Sequence, residues 1–388
     1  MSGSREPATL PAMALRIDDG FFAGSIEVLR VPGRGPVELA LRPDSAADVS
    51  QWFCFDVEDA AMRPRELVVR AVNEATFPEG FIDYEAMVSY DGRSWSRAPT
   101  DYDGTDLRIV HAPRSETTRY AYFAPYPMER LERALSKLGR KVGAQIEALG
   151  TSTEGRPVYL ANLGNPDAER TMWIIAAQHP GETPASWFMH GLMRRLSRAD
   201  AAVRELLATT QLCLVPLVNP DGAALGNMRT SATGANLNRC WIDPDPKEAC
   251  EIAALIERID STGVDLFLDV HADEDCGYAF PAGCEGNPSY NEALEGSEAA
   301  LRFDLAESIA EFIDESVYEP DAPGEADLSC AANQIGERHG AVSLTLELPM
   351  KGHGAGRVRA GFSPKRAMKA GENLVDVLVR ARARLAED

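Results

Sequence analysis

With 388 residues, 45% of them hydrophobic, the chain is long enough for two domains and apolar enough to bury real cores, which argues against a mainly disordered protein. A formal net charge of −21 without a long basic run argues against a nucleic-acid partner. No apolar run approaches the ~20 residues of a membrane span and no signal-peptide core follows Met1, so the expectation is a cytoplasmic protein with no membrane partner; the seven dispersed cysteines read as reduced thiols.

From Leu15 to about Phe123 the chain shows short period-two runs, such as 25–31, 52–57, 66–72 and 119–123, separated by turns like Pro32-Gly33-Arg34-Gly35. This pattern predicts an all-β sandwich. After Pro125-Tyr126-Pro127 the period changes. Leu131, Leu135, Leu138, Val142, Ile146 and Leu149 recur at helical spacing and predict one long linking helix. The expected domains are therefore 1–124 and 125–388. Beyond the linker, strand-like runs at 172–177, 212–217, 264–270 and 342–348 alternate with helical patterns at 185–196, 247–260, 301–316 and 364–385, while 283–300 reads as a surface loop. Such alternation predicts an α/β domain whose mixed, mostly parallel sheet is flanked by helices, with its ligand site at the carboxyl ends of the strands.

Chemistry enters at the first of those strand ends. His179 and Glu182, three residues apart in Gln178-His179-Pro180-Gly181-Glu182, follow a buried run and can turn toward one point. An isolated pair of this kind is usually an ordinary surface pair. Here a second strand-end histidine, His271, follows Val264 to Val270, and two histidines with one glutamate leave a fourth tetrahedral position open, as in a catalytic zinc site.

Four segments together carry a resemblance: His179-Pro180-Gly181-Glu182; Asn219-Pro220-Asp221-Gly222 running on to Gly226-Asn227-Met228-Arg229; Asn236-Leu237-Asn238-Arg239; and Asp269-Val270-His271 with a later Thr345-Leu346-Glu347. In order and spacing they resemble the zinc metallocarboxypeptidases, and the β-sandwich ahead of them resembles the cytosolic carboxypeptidase branch. The resemblance implies one zinc ion (Zn2+) held by His179, Glu182 and His271, with Glu347 as the general base. Arg229 would steady the oxyanion, and Asn238 and Arg239 would grip the terminal carboxylate of a peptide or protein tail. That makes an exopeptidase, since an internal bond would leave the arginine unpaired and buried. Many family members place an aspartate where this chain has Asn236, whose amide oxygen can still accept a bond from a ligating histidine.

The sequence also departs from the family. The tyrosine that classical digestive members bring over the substrate has no equivalent in 324–336, and Tyr278 and Tyr318 are the substitutes at hand. An arginine associated with acidic leaving residues is missing from the loop before Asn238-Arg239, while Asp273-Glu274-Asp275, directly after His271, reads either as a solvated loop or as negative charge at the rim that favours basic or neutral substrates. Asn219 to Gly222 reads as a turn that shapes its loop rather than touches substrate. His111, His190, His339 and His353 fall outside the pattern, His190 on the polar side of its helix, and Cys276 and Cys284 read as plain thiols. The alternative function is a zinc-dependent deacylase resembling aspartoacylase and succinylglutamate desuccinylase, against which the N-terminal β-domain and the order of motifs count.

Overall fold

Period-two burial over residues 16–121 produces ten short strands, with helical content limited to two 3-10 turns, Val72–Glu74 and Pro78–Phe81. The computed structural model describes residues 15–351 and 361–385; His353 lies outside the described residues. In spatial order one five-stranded sheet runs Arg16–Asp18, Cys54–Glu58, Thr117–Ala121, Met87–Ser89, Ser96–Arg97. The other runs Glu27–Arg30, Val37–Ala40, Arg65–Arg70, Leu107–His111, Thr100–Tyr102. Phe55, Val57 and Tyr120 of the first share a buried core with Leu39, Leu67, Val69 and Ile109 of the second, giving the expected β-sandwich.

The amphipathic helix that follows is shorter than its spacing predicts. It covers Met128–Val142 and stops where Gly143 takes a φ of 73° and its N–H closes on Gly139. Ile146 and Leu149 then belong to a strand, Gln145–Thr151, so the apparent six-residue stripe joins two elements across a helix cap.

The larger sheet has seven strands in the order Gln145–Thr151, Pro157–Gly164, Thr210–Val215, Arg170–Ala176, Leu266–Asp273, Val342–Pro349, Phe280–Ala282. The central four are mutually parallel and the outer pairings antiparallel, a mixed sheet as expected. Both faces are buried. Met172, Ile174 and Ala176 enter the core shared with the sandwich, whereas Trp173 and Ile175 enter a second core with Trp241, Phe267 and Ile335. This explains why these strands read as continuous apolar runs. Two boundaries need correction: part of the expected 283–300 loop is helix, because Asn291 accepts from the Ala293 and Leu294 N–H groups and starts Glu292–Ser308 there. That helix ends at Ser308 rather than 316, and its core face buries Glu298 and Asp304, which weakens the apolar stripe. Among the described residues no helix is long and apolar enough to cross a membrane.

Candidate active site

The carboxyl ends of the parallel strands gather the polar residues. Where Arg170–Ala176 ends, Ala177 takes a left-handed φ of 58°, a conformation a non-glycine residue holds only under local constraint. The chain then presents His179, and Glu182 just ahead of the helix Thr183–Leu196. His271 lies within Leu266–Asp273, opposite Glu347 in the register with Val342–Pro349, so strand pairing alone sets the two side by side. Glu347 is thus inside its strand, not at its end.

His179, Glu182 and His271 are buried, and one ligand atom from each lies within 4.8 Å of the others. His179 Nδ1 is 2.7 Å from Glu182 Oε1, His271 Nδ1 is 2.9 Å from Glu182 Oε2, and the two Nδ1 atoms are 3.2 Å apart. The opposite ring nitrogens face acceptors. Asn236 Oδ1, which also takes the Asn238 N–H, lies 2.9 Å from His179 Nε2; Asp269 Oδ2, which also takes an N–H from the Gln178 amide, lies 2.8 Å from His271 Nε2. Each Nε2 is therefore the donor, and each Nδ1 is directed at the shared centre. This donor set fits a divalent cation: two imidazoles and a carboxylate converge, with their outer sides already satisfied.

Asp269 belongs to the Asp269-Val270-His271 segment, and the resemblance alone assigns it no role. Two positions before His271 on one strand, it shares the histidine's face, and that period-two relation was the available signal. Gln178 extends the network, since its Oε1 accepts from the Trp241 indole at 2.8 Å.

Burial pushes the Glu347 carboxyl up to about 8, with Glu182, Asp273 and Asp269 adding to the rise against the pull of His271. A divalent cation in the adjacent triad would draw it back down, toward the range useful to a base at neutral pH.

His179, Glu182, Arg229, Asn238, Arg239, His271 and Glu347 all line one cleft of about 730 Å³. Arg229 Nη1 stands 4.0 Å from Glu182 Oε1, and its guanidinium lies 5.5 Å from the Phe77 ring centroid. Asn238 is fixed by accepting the Ala331 N–H at 2.8 Å, which leaves its Nδ2 3.5 Å from His271 Nε2. Arg239 corrects an expectation: its side chain is 46% exposed and Nε lies 3.4 Å from Asp327 Oδ2, so without substrate it is neither buried nor unpaired. Of the two tyrosines, Tyr318 lines the cleft, donating to Asp273 Oδ2 at 2.9 Å with its ring edge-on to Phe280; Tyr278 does not line it. Asn219 to Gly222 stays out of the cleft: the Asn219 side chain accepts the Gly222 N–H and caps a short helix, Pro220–Leu225, whose first turn holds the other three. His190 is half-buried rather than solvent-facing, with Nδ1 2.8 Å from the Tyr126 hydroxyl.

Metal-dependent hydrolases are the class to which such a cleft belongs. Comparison with known proteins narrows it: the zinc carboxypeptidase family model matches residues 135–368, and the cytosolic carboxypeptidase N-terminal domain matches residues 17–123. The chain belongs to the zinc carboxypeptidase family and is a metallocarboxypeptidase. An uncharacterized protein of Zymomonas mobilis is 38% identical over 94% of this chain and 96% of its own. Mouse cytosolic carboxypeptidase 6 is 27% identical over 66% of this chain, which spans 53% of the mouse protein. Among solved structures, the metallo-carboxypeptidase from Burkholderia cenocepacia aligns with a TM-score of 0.90 at 34% identity, covering 96% of this chain and 100% of that one. The metallo-carboxypeptidase from Pseudomonas aeruginosa, in complex with (2-guanidinoethylmercapto)succinic acid, aligns at 0.89 with 36% identity over 95% of this chain and 100% of its own. The deacylase alternative is not favoured, because both family models match and do so in the carboxypeptidase order.

Proposed function

We propose that this chain removes the C-terminal residue of a peptide or protein tail, with His179, Glu182 and His271 holding one zinc ion and Glu347 acting as general base. Residues 125–388 form the catalytic domain in this reading and residues 1–124 the sandwich that supports it. The observation that carries it is the convergence of both Nδ1 atoms and the Glu182 carboxylate beside Glu347, the strand partner of His271. Zinc, when bound, lowers the pKa of water to about 7 and polarises the scissile carbonyl. Glu347 takes the proton from the attacking water and passes it to the leaving amine. Arg229 faces the charge that develops on the carbonyl oxygen. Asn238 and Arg239 hold the terminal carboxylate, with Arg239 exchanging Asp327 for substrate, so selection for a free terminus comes from attraction and not from a buried, unpaired arginine. The ligand of the Pseudomonas neighbour joins carboxylates to a guanidinium. In this cleft the same pairing would set a carboxylate on Arg239 and a cation toward the acidic wall.

Zinc-loaded protein incubated with a panel of peptides should release single C-terminal residues, read by mass. Glu347→Gln should keep its zinc and lose turnover; activity that survives assigns the base wrongly. No loss from any peptide, together with deacylation of an N-acyl amino acid, would restore the deacylase reading.

A further inference from the structure

The backbone that carries Arg229 is held from the other half of the molecule. Asp44, 6% exposed, accepts the Met228 N–H on Oδ1 at 2.6 Å. Its Oδ2 accepts the Arg229 N–H at 2.9 Å, the Thr230 N–H at 2.8 Å and the Thr230 hydroxyl at 2.9 Å. The chain around it is keyed in as well: the Ser45 N–H donates to Asn227 Oδ1 at 2.9 Å, and a Cβ on Gly234 would lie 2.3 Å from the Ala46 carbonyl oxygen. Phe77, from the same half, lies against the Arg229 guanidinium. No helix or strand covers residues 226–236; from its own half the segment is held by the Gly181 N–H on the Met228 carbonyl and by the Asn227 amide on the Thr230 and Ser231 carbonyls, bonds that do not reach the Arg229 backbone.

We propose that Asp44 is a positioning residue for Arg229: one carboxylate of the N-terminal sandwich, binding three consecutive backbone N–H groups, fixes where the guanidinium enters the cleft. The role of Arg229 that it serves rests on the carboxypeptidase reading above. Charge-assisted bonds from three amides and a hydroxyl define a backbone more tightly than packing does, and a misplacement near 1 Å costs on the order of 100-fold in rate. The sandwich is on this view part of the catalytic apparatus.

Asp44→Asn keeps the shape but removes half the acceptor capacity. It should lower kcat by about 10- to 100-fold with KM changed by less than about threefold, zinc content intact, and faster hydrogen exchange at the Met228, Arg229 and Thr230 amides. Thr230→Val, which deletes only the hydroxyl donor, should show the same signature more weakly in a chain under less risk of misfolding. On an Arg229→Ala background, Asp44→Asn should cost less than about twofold further, which a merely structural role would not predict. Unchanged kcat, unchanged amide exchange, or an equal loss with and without Arg229 overturns the inference. Exchange is read without turnover: a chain that cleaves no peptide yet loses protection at these amides supports the anchoring and refutes the hydrolase reading alone.

Discussion

Two histidines converge on one centre from unlike surroundings. Burial lowers the affinity of both rings for protons, but the carboxylate of Asp269 behind His271, with that of Glu182 in front of it, outweighs burial and holds that imidazole well above its ordinary value. His179 has the neutral Asn236 at its back and stays below. The acceptor on the far nitrogen matters for metal retention because it fixes ring orientation. Asn236→Leu, which removes it, should weaken zinc binding by about 10- to 100-fold in competition with a chelator, while Asn236→Asp should bind at least as tightly as the parent. Equal zinc affinity in the leucine variant would show that the ring is held by packing instead. The convergence of the triad, with Asn236 and Glu347 beside it, was legible because the order and spacing of their motifs, with the triad and Glu347 toward the carboxyl ends of parallel strands, recur as a pattern. Asp44 and Phe77 were not, since nothing local marks a side chain whose partners lie more than a hundred residues away.

Elements meet here at glycines and buried charges. The helices Thr183–Leu196 and Pro364–Leu385 cross so closely that a Cβ on Gly191 would lie 1.9 Å from the Met368 carbonyl oxygen, and one on Gly371 1.9 Å from that of Phe188. Gly191→Ala must force the helices apart and should cost about 1–3 kcal/mol in urea unfolding. An unchanged midpoint would mean the contact yields without strain. Glu298, on the buried face of Glu292–Ser308, poses an electrostatic counterpart. Burial first, and Glu285 second, raise its carboxyl from 4.5 to about 7 despite Arg302. The fold therefore favours the protonated form: the contribution is fully present below pH 4.5 and is lost as pH rises through about 7, on the order of 3 kcal/mol by the end. Glu298→Gln should be more stable than the parent at pH 8 and no more stable at pH 4, measured by unfolding at both. A pH-independent difference would place the effect in packing. These same features limited what the sequence could say at this scale. The parallel strands were readable from their apolar runs, but a buried Glu298 and Asp304 disguised one helix, and Gly143 had to be seen in its left-handed conformation to divide another from a strand.

At the scale of the molecule, the net charge of −21 is matched in sign by the cleft, whose acidic side chains outnumber its arginines. Asp273, Asp314, Glu315, Glu319 and Asp321 line it, whereas Arg302, the cleft's third arginine, is bound to Glu285 and lies 3.7 Å from Glu298 Oε2. Arg229 and Arg239 are committed to the oxyanion and the terminal carboxylate in the proposed mechanism. The wall that remains is negative, and low-dielectric clefts focus such a field onto an approaching tail. A peptide ending in lysine should therefore be cleaved with a higher kcat/KM than the same peptide ending in glutamate, by on the order of 10-fold at low ionic strength. Screening supplies the control, because the exposed part of the wall loses reach as the Debye length shrinks from about 30 Å at 0.01 M salt to about 3 Å at 1 M. The gap should narrow across that range, with the change falling in KM rather than kcat, since the field acts on capture and not on the proton transfers at Glu347. If glutamate-ended tails are faster, Arg302 must leave Glu285 to receive them, and Arg302→Gln would then abolish that preference while sparing cleavage after neutral residues.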